Sequence, residues 1–451
     1  MLPALLLSIA LSAAPAKAPL IPFEKFTLPN GLRVVVSEDH KTPVVAVMLW
    51  YHVGAANEVP GKSGFAHLFE HMMFQGSKHR TGNETAFFGI LQGAGATGVN
   101  GSTNFDRTNY FEVLPANRLE LGLWLESERM GFLLDAMDQQ KLDVQRDVVR
   151  NERRQTTENR PYGRAEVRMF ELLFPKPNPY FGSVIGSHED LQAASLEDVK
   201  AFFRTYYAPS NAVLTIVGDV TPAQVKPLVE KYFGSILGGP AVPKPTLRVE
   251  PLTSPKRETM TDNVQLSKVS LGVILPSAYS TGDFYATQLL CDILARGKSS
   301  RLYRELVYNQ KVAQEVACDI EAARLASIGT VDVTVAPGVT PEKAEAALDV
   351  QLKAVMDAPP TAAELDRAKR NRVATVLRNL ERVGGRGGKA DVLELGEFWK
   401  GDPGFLDAMV AGWNAITPAE VQAVARKYFG PDQRVVITIN PAPKTAAASS
   451  K

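Results

Sequence analysis

The chain has 451 residues, too many for one hydrophobic core, and its 45% hydrophobic and 22% charged content is that of an ordinary globular protein rather than a disordered or fibrous one. Fifty Lys and Arg against 49 Asp and Glu leave a net charge of +1, so no strong field advertises a nucleic acid or an acidic membrane as partner.

The opening stretch MLPALLLSIALSAAPAKAPL joins a short apolar run to small residues suited to signal-peptidase cleavage near Ala14 or Ala16. This predicts an exported, periplasmic protein with a leader over residues 1–16; a misassigned start codon is the alternative, because no Lys or Arg precedes the apolar run. No segment offers the roughly 20 consecutive apolar residues that a membrane span needs, and no integral span is expected.

Next, GLRVVVSED and PVVAVMLWYHVG are β-branched and apolar runs separated by HKT, which predicts strand, turn and strand. From Gly64 to Phe74 the spacing becomes helical, with Phe65, Leu68 and Met72 on one side. NRLELGLWLESERMGFLLDAM and QQKLDVQRDVVRNERRQT predict two longer helices, and strands mixed with long helices give an α+β or α/β class.

Residues 237–258, rich in Pro and Gly and without apolar period, form a candidate linker. Around it the chain repeats: SLEDVKAFFRTYYAPSNAVLTIV (195–217) lies over TPAEVQAVARKYFGPDQRVVITI (417–439) at a constant offset of 222, matching Tyr206 with Tyr428 and Pro209 with Pro431. Each copy reads as helix, Pro-marked turn and strand, which predicts duplicated halves over 20–236 and 259–441. The tail at 442–451 is small, polar and expected to be disordered. Cys291 and Cys318 are the only cysteines, either two buried thiols or a single bridge.

The chemistry concentrates in GFAHLFEHMMFQGS (64–77), which holds two of the chain's six histidines within five positions. On a helix, His67, Glu70 and His71 project the same way. Two imidazoles at that spacing can share one Zn²⁺, with the carboxylate beside the metal as a base for its water. A third ligand must come from elsewhere; Glu152, on the helical face of Gln145 and Val149, is a candidate whose competing reading is a solvated helix face.

The H-x-x-E-H order is the inverzincin signature, and the chain resembles the pitrilysin family of zinc metallopeptidases, which includes insulin-degrading enzyme and the mitochondrial processing peptidases. The likeness extends to VGAANE (53–58), NGSTNFDRTNYF (100–111), QRDVVRNE (145–152), NPYFGSVIGSHEDL (178–191) and GKSSRLYREL (297–306). It implies an α+β fold of two homologous halves, each a mostly antiparallel sheet packed with helices. It also implies one Zn²⁺ per chain held by His67, His71 and Glu152, with Glu70 as general base. Peptide substrates would add as a strand near residues 100–105, with Asn100 and Phe105 as substrate-binding residues. In the family the second half closes over the first to form a chamber.

Two departures stand out. At an offset of 221, Gln288, Cys291 and Asp292 stand opposite His67, Glu70 and His71, so the second half has no such site. The substrate-contacting Arg and Tyr that the family carries in this half are replaced by Val307 and Gln314. This implies a heterodimer with a homologous non-zinc subunit that supplies the pair, a homodimer being the other arrangement. Gln145 replaces a glutamate common in active relatives and is expected to tune the metal. The expected function is a zinc endopeptidase; the rival is a non-catalytic peptide-binding or assembly subunit. GGRGGK (384–389) lacks the pattern of a phosphate loop and reads as a flexible hinge or loop, and His79 and His188 read as exposed loop histidines.

Overall fold

The computed structural model describes residues 19–245, 249 and 252–443. The expected leader, and all but two residues of the expected tail, lie outside them. In chain order the first half runs β1 (Glu24–Thr27), β2 (Arg33–Glu38), β3 (Val44–Tyr51), α1 (Phe65–Met72), α2 (Glu84–Gly93), β4 (Thr97–Thr103), β5 (Thr108–Pro115), α3 (Leu119–Gly131), α4 (Gln139–Arg153), α5 (Gly163–Leu173), α6 (His188–Ala193), α7 (Leu196–Tyr206), β6 (Ala212–Gly218) and α8 (Pro222–Phe233). The second runs β7 (Lys256–Asp262), β8 (Lys268–Leu275), α9 (Gly282–Ala295), β9 (Ala313–Glu321), β10 (Ser327–Val335), α10 (Pro341–Asp357), α11 (Ala362–Asn379), α12 (Lys389–Lys400), α13 (Phe405–Ala415), α14 (Pro418–Tyr428) and β11 (Arg434–Pro441). Strand β7 starts inside the stretch expected to link the halves, because Lys256–Asp262 pairs in parallel with β11.

The sheets have orders β1-β2-β6-β3-β5-β4 and β7-β11-β8-β10-β9. Without β1 the two orders are the same, each with one parallel pair, β2 with β6 and β7 with β11. The fold is α+β, in two homologous halves. The repeat seen at offset 222 is α7–β6 and α14–β11, each joined through a short 3₁₀ turn that starts with Pro209 or Pro431.

Strict alternation decides which side of a strand meets which core. On β3, Val45, Val47, Leu49 and Tyr51 face a core built with α1, α3, α4, α7 and α8, while Ala46, Met48 and Trp50 face a second core. That second core belongs mainly to the C-terminal half, whose α12 packs on β3 and β6. In return α5, from the first half, lays Ala165, Met169 and Leu173 against Val435, Ile437 and Ile439 of β11. Gly272 on β8 permits this approach, since a Cβ there would lie 2.3 Å from the Met169 sulfur. The halves therefore exchange helices and share a continuous core, so the second half is fused to the first rather than closing over it as the resemblance implied. At about 1.5–3 kcal/mol for each large apolar side chain buried, separation would be costly.

The GGRGGK segment is correspondingly packed rather than a free hinge: a Cβ on Gly384 would lie 2.7 Å from both Ala46 and Val113, and Lys389 pairs with Asp39. Cys291 on α9 and Cys318 on β9 form a disulfide with their Cα atoms 5.1 Å apart. No helix among the described residues is long and apolar enough to cross a membrane.

Candidate metal centre

The helix α1 is only eight residues long and is preceded by the cap residue Gly64, whose φ of 87° is a left-handed conformation that glycine adopts without strain. Gly64 has no side chain to cap the helix, and the buried carboxylate of Glu58 does so instead, accepting from the Gly64 and Ala66 amides at 2.8 Å each. Burial pushes Glu58 up to about 8, against amide donors that favour its anion. Leu68, Phe69 and Met72 anchor the other side of α1 in the core. His67, Glu70 and His71 are thus held on a rigid turn.

The helix α4 packs beside α1 and starts from the cap Asp138, whose carboxylate accepts from the Lys141 amide at 2.9 Å. Its last turn presents Glu152. The Glu152 Oε2 lies 3.2 Å from His71 Nε2 and 3.7 Å from His67 Nε2. Zn–N and Zn–O bonds of about 2.0–2.2 Å place tetrahedral ligand atoms roughly 3.3 Å apart, so this donor set fits a zinc ion. Among the described residues it is the one group of three or more His, Cys, Asp or Glu whose ligand atoms converge in this way.

The electrostatics treat the two imidazoles differently. Burial, helped by the charge of His71, pulls His67 down to about 4, so its imidazole is neutral near pH 7 as a ligand must be. Burial also acts to lower His71, but its hydrogen bond with Glu152 and the charge of Glu70 outweigh it and the net shift is upward. The same hydrogen bond lowers Glu152 in spite of its burial. The side chains remain accessible, with 12, 19 and 36% exposure for His67, His71 and Glu152.

Glu70 is buried beside this trio, and burial raises its pKa although Thr103 Oγ1 donates to its Oε2 at 2.5 Å. An upward shift is the direction that favours a carboxylate as proton acceptor and donor. Gly101 on β4 leaves room for it, since a Cβ there would come within 3.0 Å of Glu70 Oε1. Asn100 is exposed on β4, the free edge of the first sheet, with its Oδ1 accepting from the Gly101 amide at 2.9 Å. Gln145 is buried, and its Oε1 has no partner.

Phe105 is not at the edge. Strand β4 ends at Thr103, and the turn that follows tucks the Phe105 ring into the core, 4.9 Å from Tyr180 and 5.1 Å from Phe170 by ring centroid. His188 is also not an exposed loop histidine, since it pairs with Glu158 at 2.9 Å and its side chain is 25% exposed. His79, half exposed, bonds Glu128 at 2.8 Å. Val307 lies in the π-helical segment Tyr303–Asn309, which also holds Tyr303, Arg304 and Tyr308, and Gln314 lies on β9; at the two positions themselves there is neither an Arg nor a Tyr.

Thr103 and Glu58 were not anticipated as site residues. The alternation that puts Gly101 and Thr103 on one face of β4 was readable, but nothing in the sequence says that Glu70 meets that face.

The description "Insulinase (Peptidase family M16)" matches residues 33–169, which contain every metal-site residue named above, and "Peptidase M16 inactive domain" matches residues 193–372. The chain is 33% identical to the zinc protease PqqE of Helicobacter pylori over 430 residues, 93% of each chain. It is 23% identical to the uncharacterized zinc protease YmxG of Bacillus subtilis, over 92% of this chain and 97% of that one. Among solved structures, a protease from Helicobacter pylori superposes with a TM-score of 0.86 at 31% identity, over 94% of this chain and 100% of that one. The periplasmic protease PqqL of Escherichia coli shares the fold at 18% identity and a TM-score of 0.76, with 95% of this chain covering 48% of that longer one. Signature, fold and relatives agree, and the chain belongs to the insulinase family, peptidase family M16.

Proposed function

We propose that this chain is a zinc-dependent endopeptidase that hydrolyses peptides or unfolded protein segments. The observation that carries the reading is the convergence of His67 and His71 Nε2 on Glu152 Oε2, with Glu70 on the same short helix and its pKa raised by burial. The chemistry that a zinc ion supplies at such a site is polarisation of a peptide carbonyl and acidification of water. Thr103 holds Glu70 Oε2, which leaves Oε1 to take the proton of the attacking water and return it to the leaving amine. The free edge of β4 is suited to receive an extended peptide by strand addition, with Asn100 beside its backbone.

We further propose a two-subunit enzyme whose homologous non-zinc partner closes the chamber and supplies the Arg and Tyr. Val307 and Gln314 support this, as does the PqqL chain, in which the present fold accounts for about half the length. Loss of an oxyanion donor costs on the order of 10²–10³ in turnover. Export to the periplasm is the matching location: the apolar N-terminal run supports it, as does a disulfide of the kind that persists in oxidising compartments.

The test is hydrolysis of a quenched fluorogenic peptide library by the zinc-loaded chain, alone and with its homologue, with Glu70→Gln as control. Activity that needs the partner and falls about 10³-fold in the control is expected. Full activity alone would sink the divided site, and silence in every mixture would favour the peptide-binding subunit to which Val307 and Gln314 also point.

A further inference from the structure

The segment Ser183–Leu191 touches both helices of the metal centre, at places where no metal ligand takes part. On the α1 side, Asp190 Oδ2 accepts from Ser63 N at 3.0 Å and from Ser63 Oγ at 2.5 Å. The Ser187 amide donates to the same Ser63 Oγ at 3.0 Å. The backbones press together behind these bonds: a Cβ on Gly64 would lie 2.6 Å from Ile185 O, and one on Gly186 would lie 2.5 Å from the Gly64 Cα.

On the α4 side the contact begins at Arg153, the residue after Glu152. Its NH1 donates to Gly186 O and, at 3.2 Å, to Ser183 Oγ, while its Nε donates to Glu158 at 3.0 Å. Glu158 ends the π-helical turn Arg154–Glu158, a widening of the helix directly after the ligand, and there it also meets His188 Nε2 at 2.9 Å. Arg150 Nε donates to His188 Nδ1 at 3.4 Å, so the ring accepts on Nδ1 and donates from Nε2.

We infer that Ser183–Leu191 is a brace that fixes the separation between α1 and α4, with Arg153, His188 and Asp190 as positioning residues for the ligand set. This rests on the zinc reading of His67, His71 and Glu152. The brace reaches α1 just before its first turn and α4 just after its last ligand, so it sets the distance across which His71 and Glu152 meet. A hydrogen-bonded cross-link to each ligand-bearing helix restricts the empty site to geometries close to the bound one, which raises affinity without touching the metal.

The test uses the full chain with Arg153→Gln, Asp190→Asn and the double substitution. Zinc affinity is read by competition with a chromogenic chelator, and ligand geometry by the visible spectrum of the cobalt-substituted protein. Each single variant is expected to lose up to about tenfold in zinc affinity, less than the loss of a group bonded directly to a ligand, and to alter the cobalt bands. The double variant should lose little more, because either cut opens the same brace. Amide exchange in metal-free protein separates the outcomes: Asp190→Asn, which alters side-chain hydrogen bonds on the α1 side alone, should also loosen the end of α4. Wild-type affinity and spectrum in both single variants would overturn the brace, and so would exchange confined to the helix that each substitution touches. Failure of the unsubstituted chain to bind zinc would overturn the zinc reading instead, with exchange in the metal-free chain still deciding the brace.

Discussion

In the first half α1 and α4 meet at His67, His71 and Glu152; in the second, the corresponding helices α9 and α11 meet at Asp292 and Arg372, whose Nε donates to Asp292 at 2.8 Å. Arg372 also donates to the Gln288 carbonyl at 3.1 Å, and Gln288 Oε1 accepts from the Trp413 indole at 2.7 Å. The strand side corresponds as well. Leu49 pairs with Leu214 and Tyr110, and Tyr110 with Gly101; Leu271 pairs with Val436 and Val331, and Val331 with Cys318. Leu214 and Val436 are related by the offset of 222, so Cys318 holds the place of Gly101, against which Glu70 rests. Cys291 holds the place of Glu70 at the offset of 221, and the disulfide therefore spans the same junction that the Glu70 carboxylate occupies in the first half.

One scaffold thus closes the same joint in two ways. The second half satisfies it with an ion pair, a side-chain hydrogen bond and a covalent link. In the first, His67 Nδ1 and Gln145 Oε1 are buried without partners, and burial shifts His67 downward and Glu70 upward. Groups left unsatisfied where the fold can satisfy them mark the first joint, not the second, as the candidate functional site.

Exchanging features between the joints should separate these roles. The largest effect is expected from Glu152→Ala, which should lower zinc affinity by more than about a hundredfold, beyond the loss of an outer partner, as read by chelator competition. Replacing Cys291 and Cys318 together by Ser should leave zinc affinity unchanged and cost about 3–4 kcal/mol in denaturant unfolding, from the loop closed by residues 27 apart. Arg372→Ala strips the largely buried Asp292 carboxylate of its main partner and should cost about 1–3 kcal/mol with zinc binding intact; equal loss of zinc in this variant would erase the distinction between the joints.

The smallest effect concerns pH at Glu364, in the first turn of α11. The hydrogen bonds from Arg301 hold its carboxyl down to about 2 despite partial burial. A depressed carboxyl contributes stability above its unfolded value of about 4.3 and loses it as pH falls through the folded value. Acid unfolding between about pH 4 and pH 2 should therefore be shallower in Glu364→Gln than in the unsubstituted chain, and parallel curves would show that the Arg301 pair does no such work.

His67, Glu70 and His71 were legible because helical spacing within five residues carries their geometry. Glu152 was less so: periodicity put it on the face of Val149, but its meeting with α1 is a tertiary fact, and the family resemblance made the choice. Phe105 was expected beside the substrate because the resemblance put the binding edge near residues 100–105, whereas strand β4 ends at Thr103 and the following turn buries the ring. His188 was read as a lone loop histidine, although its partners Glu158 and Arg150 lie 30 or more positions away in sequence. The repeat was visible where α7–β6 and α14–β11 keep one offset; which sheet α5 and α12 would cover was not, since an apolar helix face does not name its partner.

That exchange has a consequence for how the molecule comes into being. The side of β3 that carries Ala46, Met48 and Trp50 waits for α12, which begins at Lys389, so a growing chain must hold this surface unpaired through most of its synthesis. Two homologous halves that trade helices are hard to divide: neither can finish folding until α12 and β11 have both been made.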